Sequence, residues 1–410
     1  MSSRFLKGAV AALVLAANAG QAAQAATPTP RPPHLRPPDA SGPEAGLWYQ
    51  SDKAEVAAKA SGELDGDPAL TAYVRQVECK VASEYCDELR VYVFDRPFFN
   101  AQAAPNGYVE VWTGALLRAR DEAELAFILG HETTHFAMNH SVIAQAELKR
   151  RMSTAMILSI AVGAAASVAT YSAGGTQTVN TGGLSNIFYL GAIAGYFSFN
   201  RGQEAEADRL GFQRALAAGY DPAAAADLWS RLIDEQRHSG FEKVRNHPAT
   251  GSLFDDHPLD GDRLDTLRAL GNISGKQGFT GAEALRAAIR PHVASFLRDD
   301  LRRRDYGQTL YIIDQKIADH LGDDGVLNYF RGECFRLRRA AGDADEAVAA
   351  YVKSTAFPDA PAEAWREIGA YYERQHDAAK ATAAYHAYLD HAPTAQDRWL
   401  IEASLKKLES

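Results

Sequence analysis

Two short segments, His131-Glu132-Thr133-Thr134-His135 and Glu204-Ala205-Glu206-Ala207-Asp208, constrain this fold more than anything else in the chain. Residues four apart on a helix share a face, so His131 and His135 offer two imidazoles to one point, with Glu132 beside them. Glu204 and Asp208 have the same spacing and predict a second helix. Glu204 is the candidate third ligand to join the histidines. Asp208 can then reach the other ring nitrogen of a ligand histidine, and Glu206 points away. His140 lies beyond the two-ligand turn and is given no role at the metal.

The residue types imply the chemistry. Two neutral imidazoles and one carboxylate can hold a catalytic zinc ion and leave it a fourth position for water. Glu132 is then placed to act as general base on the water that attacks a peptide carbonyl, and as the acid that protonates the leaving amine. The expectation is a zinc metalloendopeptidase with one Zn2+ per chain, His131, His135 and Glu204 as ligands and Glu132 as catalytic group. Other divalent ions suit the same donors, and zinc is favoured by the motif.

With 410 residues, 46% of them hydrophobic, the chain has room for two or three globular domains. Residues 1–25 read as a secretory signal peptide: Arg4 and Lys7, an apolar run from Gly8 to Ala17, and Ala23-Gln24-Ala25 as cleavage site. The expected location is the periplasm, with membrane association left open. Residues 26–46 are a Pro-rich linker, expected to be an extended tether. A net charge of −9 argues against bulk attraction to nucleic acid. Cys79 and Cys86 are close enough to form a disulfide, which leaves Cys334 over.

Within residues 47–275, Leu89–Phe94 and Gly107–Thr113 alternate like strands, and Asp121-Glu122 open an apolar-periodic helix that runs through the first histidine segment. An edge strand beside that helix could hold a peptide extended. Between Met152 and Asn200 there is no charged residue or histidine. Two apolar segments, Thr154–Tyr171 and Leu184–Phe199, divided at paired glycines, predict a hairpin over 152–200. A lid, a membrane-contacting element, a bilayer crossing and a buried core hairpin all remain open for it. In residues 283–410, Trp365, Ile368, Gly369, Tyr372, Ala381, Tyr385 and Pro393 follow tetratricopeptide spacing, and Gly332, Phe335, Ala347 and Tyr351 make a more degenerate copy.

Asn100 to Gly107 (NAQAAPNG), Gly114, Asp121 to Leu125 (DEAEL), HETTH, Arg201 and EAEAD resemble the M48 family of zinc peptidases, over about residues 67–270. An exported peptidase followed by such repeats, with Gly219-Tyr220-Asp221-Pro222, is similar to the BepA-type members. These are periplasmic proteases and chaperone-like factors of outer-membrane protein assembly in Gram-negative bacteria. The resemblance implies a mainly α fold: a zincin-like metalloprotease domain with a small β-sheet, then an α-helical tetratricopeptide-repeat domain. It implies His131, His135 and Glu204 as zinc ligands, Glu132 as acid/base and Asp208 behind a ligand. His257, before Pro258 and six residues ahead of Arg263, is implied as a regulatory fourth ligand, with Arg263 orienting that loop or binding substrate. Many family members carry glycine where this chain has Thr134.

The implied partners are unfolded or misassembled envelope proteins as substrates, outer-membrane assembly machinery through the repeats, and peripheral membrane contact, with no nucleic acid. A repeat-based chaperone or scaffold with latent protease activity, and a membrane-embedded peptidase, are the alternatives.

Overall fold

A computed structural model describes residues 30–33, 44–147, 150, 199–248, 261–275, 277–320 and 322–409. The signal segment 1–25, most of the 26–46 linker, residues 152–198 of the apolar stretch and His257 lie outside the described residues. The described chain is mainly α-helical with one small sheet. Its first helices are α1 (Ala45–Lys59), α2 (Pro68–Val81), α3 (Thr113–Arg118) and α4 (Glu122–Ala137). They are followed by α5 (Arg201–Ala217), α6 (Ala224–Arg237), α7 (Glu242–Asn246) and α8 (Gly261–Ser274).

The sheet contains β1 (Arg90–Phe94), β2 (Ala101–Ala103) and β3 (Tyr108–Trp112) in the order β1-β3-β2. β1 runs parallel to β3 and β2 antiparallel to it. Alternation places Val91, Val93, Val109 and Val111 inward, where they are buried. β2 is only three residues long, too short for alternation to reveal it. The loop before β3 turns at Gly107, whose φ is +84° and whose missing side chain lets Glu88 carbonyl approach.

All residues of α4 are buried, its polar side chains included, so the helix is enclosed on every side. Its N-terminus is closed by Asp121, which accepts from Glu124 N, while Glu124 reaches back to Arg120 N. Glu122 is held by Lys80, Tyr73 and Tyr220, so the Gly219–Pro222 segment buttresses the start of the same helix. At the start of α5, Asn200 and Gln203 form a reciprocal capping box.

The C-terminal part comprises α9 (Ala282–Ile289), α10 (Val293–Arg302), α11 (Tyr306–Ala318), α12 (Asp324–Arg338), α13 (Asp343–Ser354), α14 (Glu363–Arg374), α15 (Ala378–His391) and α16 (Arg398–Leu408). In two successive pairs a glycine lies under a tyrosine ring, Gly332 under Tyr351 and Gly369 under Tyr385. One apolar core runs from Leu70 to Ala384, so it crosses from the sheet region into these helices. The junction also holds a buried ion cluster: Arg118 reaches Glu235 and Asp300, each at 2.8 Å. Among the described residues no helix is long and apolar enough to cross a membrane.

Two local features tie the outer layer down. Cys79 and Cys86 are joined, with Cα atoms 4.8 Å apart, and Cys334 is a buried free thiol. Arg31 of the Pro-rich segment is buried rather than tethering freely: its N–H donates to Ala137 O at 2.7 Å and its guanidinium to Pro105 O at 2.9 Å. Tyr85 hydroxyl donates to Arg31 O, and the guanidinium lies over Phe136.

Candidate metal centre

The crossing of α4 and α5 brings the two sequence segments together. His131 and His135 Nε2 atoms are 3.0 Å apart, and each is 3.6 Å from an oxygen of Glu204. One donor atom from each of the three buried residues can be chosen so that all lie within 4.8 Å of one another. The opposite side of each imidazole faces a partner: His131 Nδ1 is 3.1 Å from Asp208, and His135 Nδ1 is 2.9 Å from His140 Nδ1. Two inward nitrogens and a carboxylate oxygen are a donor set that fits zinc. The fit rests on this convergence of buried donors.

Asp208 is held more firmly than the i,i+4 argument required. Arg263, from α8, grips both its oxygens at 2.7 Å and also reaches Glu204 at 2.9 Å. Burial alone would raise the Asp208 carboxyl, but Arg263 and His131 outweigh it and hold it at about 2. Arg263 also stacks over Trp229, 4.9 Å from the ring. Among the described residues the side chain organises Asp208 and Glu204, while the His257 loop it was expected to orient lies outside them.

His140 and Glu206 meet beside the three donors. His140 is fully buried against His135, and its Nε2 is 3.2 Å from Glu206. Burial lowers the His140 imidazole below the ordinary histidine value, against the pull of Glu206. Glu206 does point away from the point where the three donors meet, but it points at His140. The cause is local: α4 ends at Met138, Asn139 takes a left-handed φ of 57°, and His140 is thereby turned back.

Glu132 and His131 line a notch with Phe99, Asn100, Ala101 and Phe127. β2 is one of the two outer strands of the sheet and packs beside α4 here. Behind the helix, Thr133 hydroxyl is hydrogen-bonded to fully buried Glu78. Burial pushes the Glu78 carboxyl up to about 8, opposed by Thr133 and reinforced by the Glu132 charge. Thr134 hydroxyl donates back to Gly130 O at 2.8 Å, so this side chain is absorbed within its own helix.

Comparison with known proteins agrees with this geometry. Residues 67–270 match the profile of peptidase family M48. The beta-barrel assembly-enhancing protease of Yersinia pestis is 31% identical over 204 residues, covering 48% of this chain and 40% of the relative. The same-named protein of Escherichia coli K12 is 27% identical over 205 residues, again 48% of this chain and 40% of the relative. A protease HtpX homolog of Acidiphilium cryptum is 28% identical over 233 residues, 54% of this chain and 76% of the relative. The chain thus spans about two fifths of the beta-barrel assembly-enhancing proteases it matches. Family profile and donor geometry fall on the same stretch, and residues 67–270 are an M48-family zinc metallopeptidase domain.

Proposed function

We propose that this chain is an exported zinc-dependent endopeptidase that cleaves misfolded or stalled envelope proteins, with its C-terminal helices docking a partner or holding clients. The observation that carries this reading is the meeting of His131, His135 and Glu204 at one point, with Glu132 on the rim of the notch beside β2. Zinc held there would polarise a peptide carbonyl and make water acidic enough to attack near neutral pH. Glu132 takes the proton of the attacking water and returns it to the leaving amine. The edge of β2 aligns the substrate main chain as an added strand, which leaves side-chain selectivity loose. Asp208 and Arg263 keep Glu204 and His131 in place while this happens.

Envelope substrates are suggested by the names of the beta-barrel assembly-enhancing relatives. The repeated glycine-under-tyrosine contact supports reading 283–410 as tetratricopeptide-like repeats, whose stacked helices would present a docking surface. The signal-like N-terminus supports a periplasmic location.

The test is metal content together with casein hydrolysis on signal-free wild type and Glu132→Gln. The expected result is one zinc per chain in both, with hydrolysis lowered about 10²-fold or more in the variant. Protein that binds no zinc and hydrolyses nothing would refute the enzymatic reading.

A further inference from the structure

We propose that Glu206 and His140 are positioning residues for the metal ligand His135, acting as a two-residue chain that sets its tautomer and ring orientation. The inference rests on the zinc reading of the site and extends it to side chains that touch neither metal nor substrate.

The donors and acceptors can be arranged in one direction only. For His135 Nε2 to face a metal its lone pair must be there, so the ring proton sits on Nδ1. That nitrogen is 2.9 Å from His140 Nδ1, which must therefore accept. The proton of neutral His140 is then on Nε2, 3.2 Å from Glu206 Oε2, a carboxylate that can only accept. His135 donates to His140 and His140 donates to Glu206. With the opposite tautomers, a lone pair of His140 would face the carboxylate and the proton of His135 would face the metal.

The surroundings hold this chain in place. Gln203 Nε2 donates to His140 O at 3.2 Å, which ties the start of α5 to the turn. Phe199 stacks on His135 with centroids 3.8 Å apart, fixing the plane of the ring. The left-handed residue at Asn139 sets the approach of His140. The two ligand histidines are thus oriented by different means: His131 by Asp208 directly, His135 by Glu206 through His140. Glu204, Glu206 and Asp208 all belong to α5, so this helix supplies a ligand and both orienting carboxylates.

Glu206 is the residue to change, because its side chain is 25% exposed and water can replace it without leaving a buried hole. The full mature chain would be prepared as wild type, Glu206→Gln and Glu206→Ala. Zinc affinity would be measured by chelator competition, visible d–d bands on the cobalt(II)-loaded protein, and Tm on metal-free protein. Glu206→Ala is expected to lower zinc affinity about 10- to 100-fold and shift the cobalt bands, with metal-free Tm unchanged. Glu206→Gln, which keeps an acceptor oxygen without the charge, should fall between it and wild type. Wild-type affinity and spectrum in Glu206→Ala would overturn the inference and leave the metalloprotease reading standing. A wild type that binds neither metal would remove both.

Discussion

Gly211 of α5 lies directly against the backbone of His131: a Cβ built on it would be 2.7 Å from His131 N and 2.8 Å from its Cα. Gly130 faces it across the same contact, with a built Cβ 3.0 Å from Gly211 O. The atoms met are backbone, so no rotamer change can make room. The two glycines therefore set how closely the helix of Glu204 and Asp208 approaches the helix of the histidines.

Gly211→Ala is expected to push α5 outward and carry Glu204 away from the imidazoles. Overpacking of this kind costs about 1–3 kcal/mol of stability. Zinc binding should weaken along with the drop in Tm. Denaturant melts and a zinc competition titration check this, and unchanged zinc affinity would show that the carboxylates do not depend on this spacing.

Arg263→Lys keeps a positive charge but loses the planar fork that holds both oxygens of Asp208 and reaches Glu204. Zinc affinity or turnover should drop about 10- to 100-fold with the fold intact. Combined with Asp208→Asn, the losses should be less than additive, since both changes break one network. Strict additivity in a double-mutant cycle on zinc affinity would separate Arg263 from Asp208.

Glu78 gives the pH prediction. In the folded chain its carboxyl stays protonated up to about pH 8, whereas in the unfolded chain it ionises near 4.5. Between these values the unfolded chain has released a proton that the folded chain retains. Stability therefore falls as pH rises from about 4.5 to about 8, then levels off, a loss on the order of 5 kcal/mol. Glu78→Gln stays neutral and keeps an oxygen for Thr133, so the variant should gain stability relative to wild type across that interval. Tm of the two metal-free proteins against pH measures the difference, and parallel curves would contradict the assignment.

The parts of this site legible in the sequence are those governed by spacing along one element. His131, Glu132 and His135 sit within one helical turn, and Glu204 and Asp208 repeat that spacing, so their shared faces follow from helix geometry. β1 and β3 were readable for the same reason, through alternation, whereas β2 offers three residues and no pattern.

His140 shows why the remainder was hidden. On an uninterrupted helix a residue five positions on lies about 140° around the axis from His135, which argues against contact. The left-handed turn at Asn139 breaks that helix and folds His140 back, with Glu206 waiting on the neighbouring helix. Asn139 was the available signal, since asparagine tolerates this conformation better than most residues. Arg31 had no such signal: its proline-rich neighbours suggest extended chain, and only Ala137, Pro105 and Phe136 give it a buried seat.

The sequence by itself therefore determined which side chains share a helix face and can be brought to one point, because those relations are local and periodic. Beyond Asp208, tertiary structure alone decided what supports the site: Arg263 on Asp208, Glu206 and His140 beside His135, Gly211 against His131. These contacts join residues from separate elements, and no periodicity along one segment encodes which other segment will pack against it.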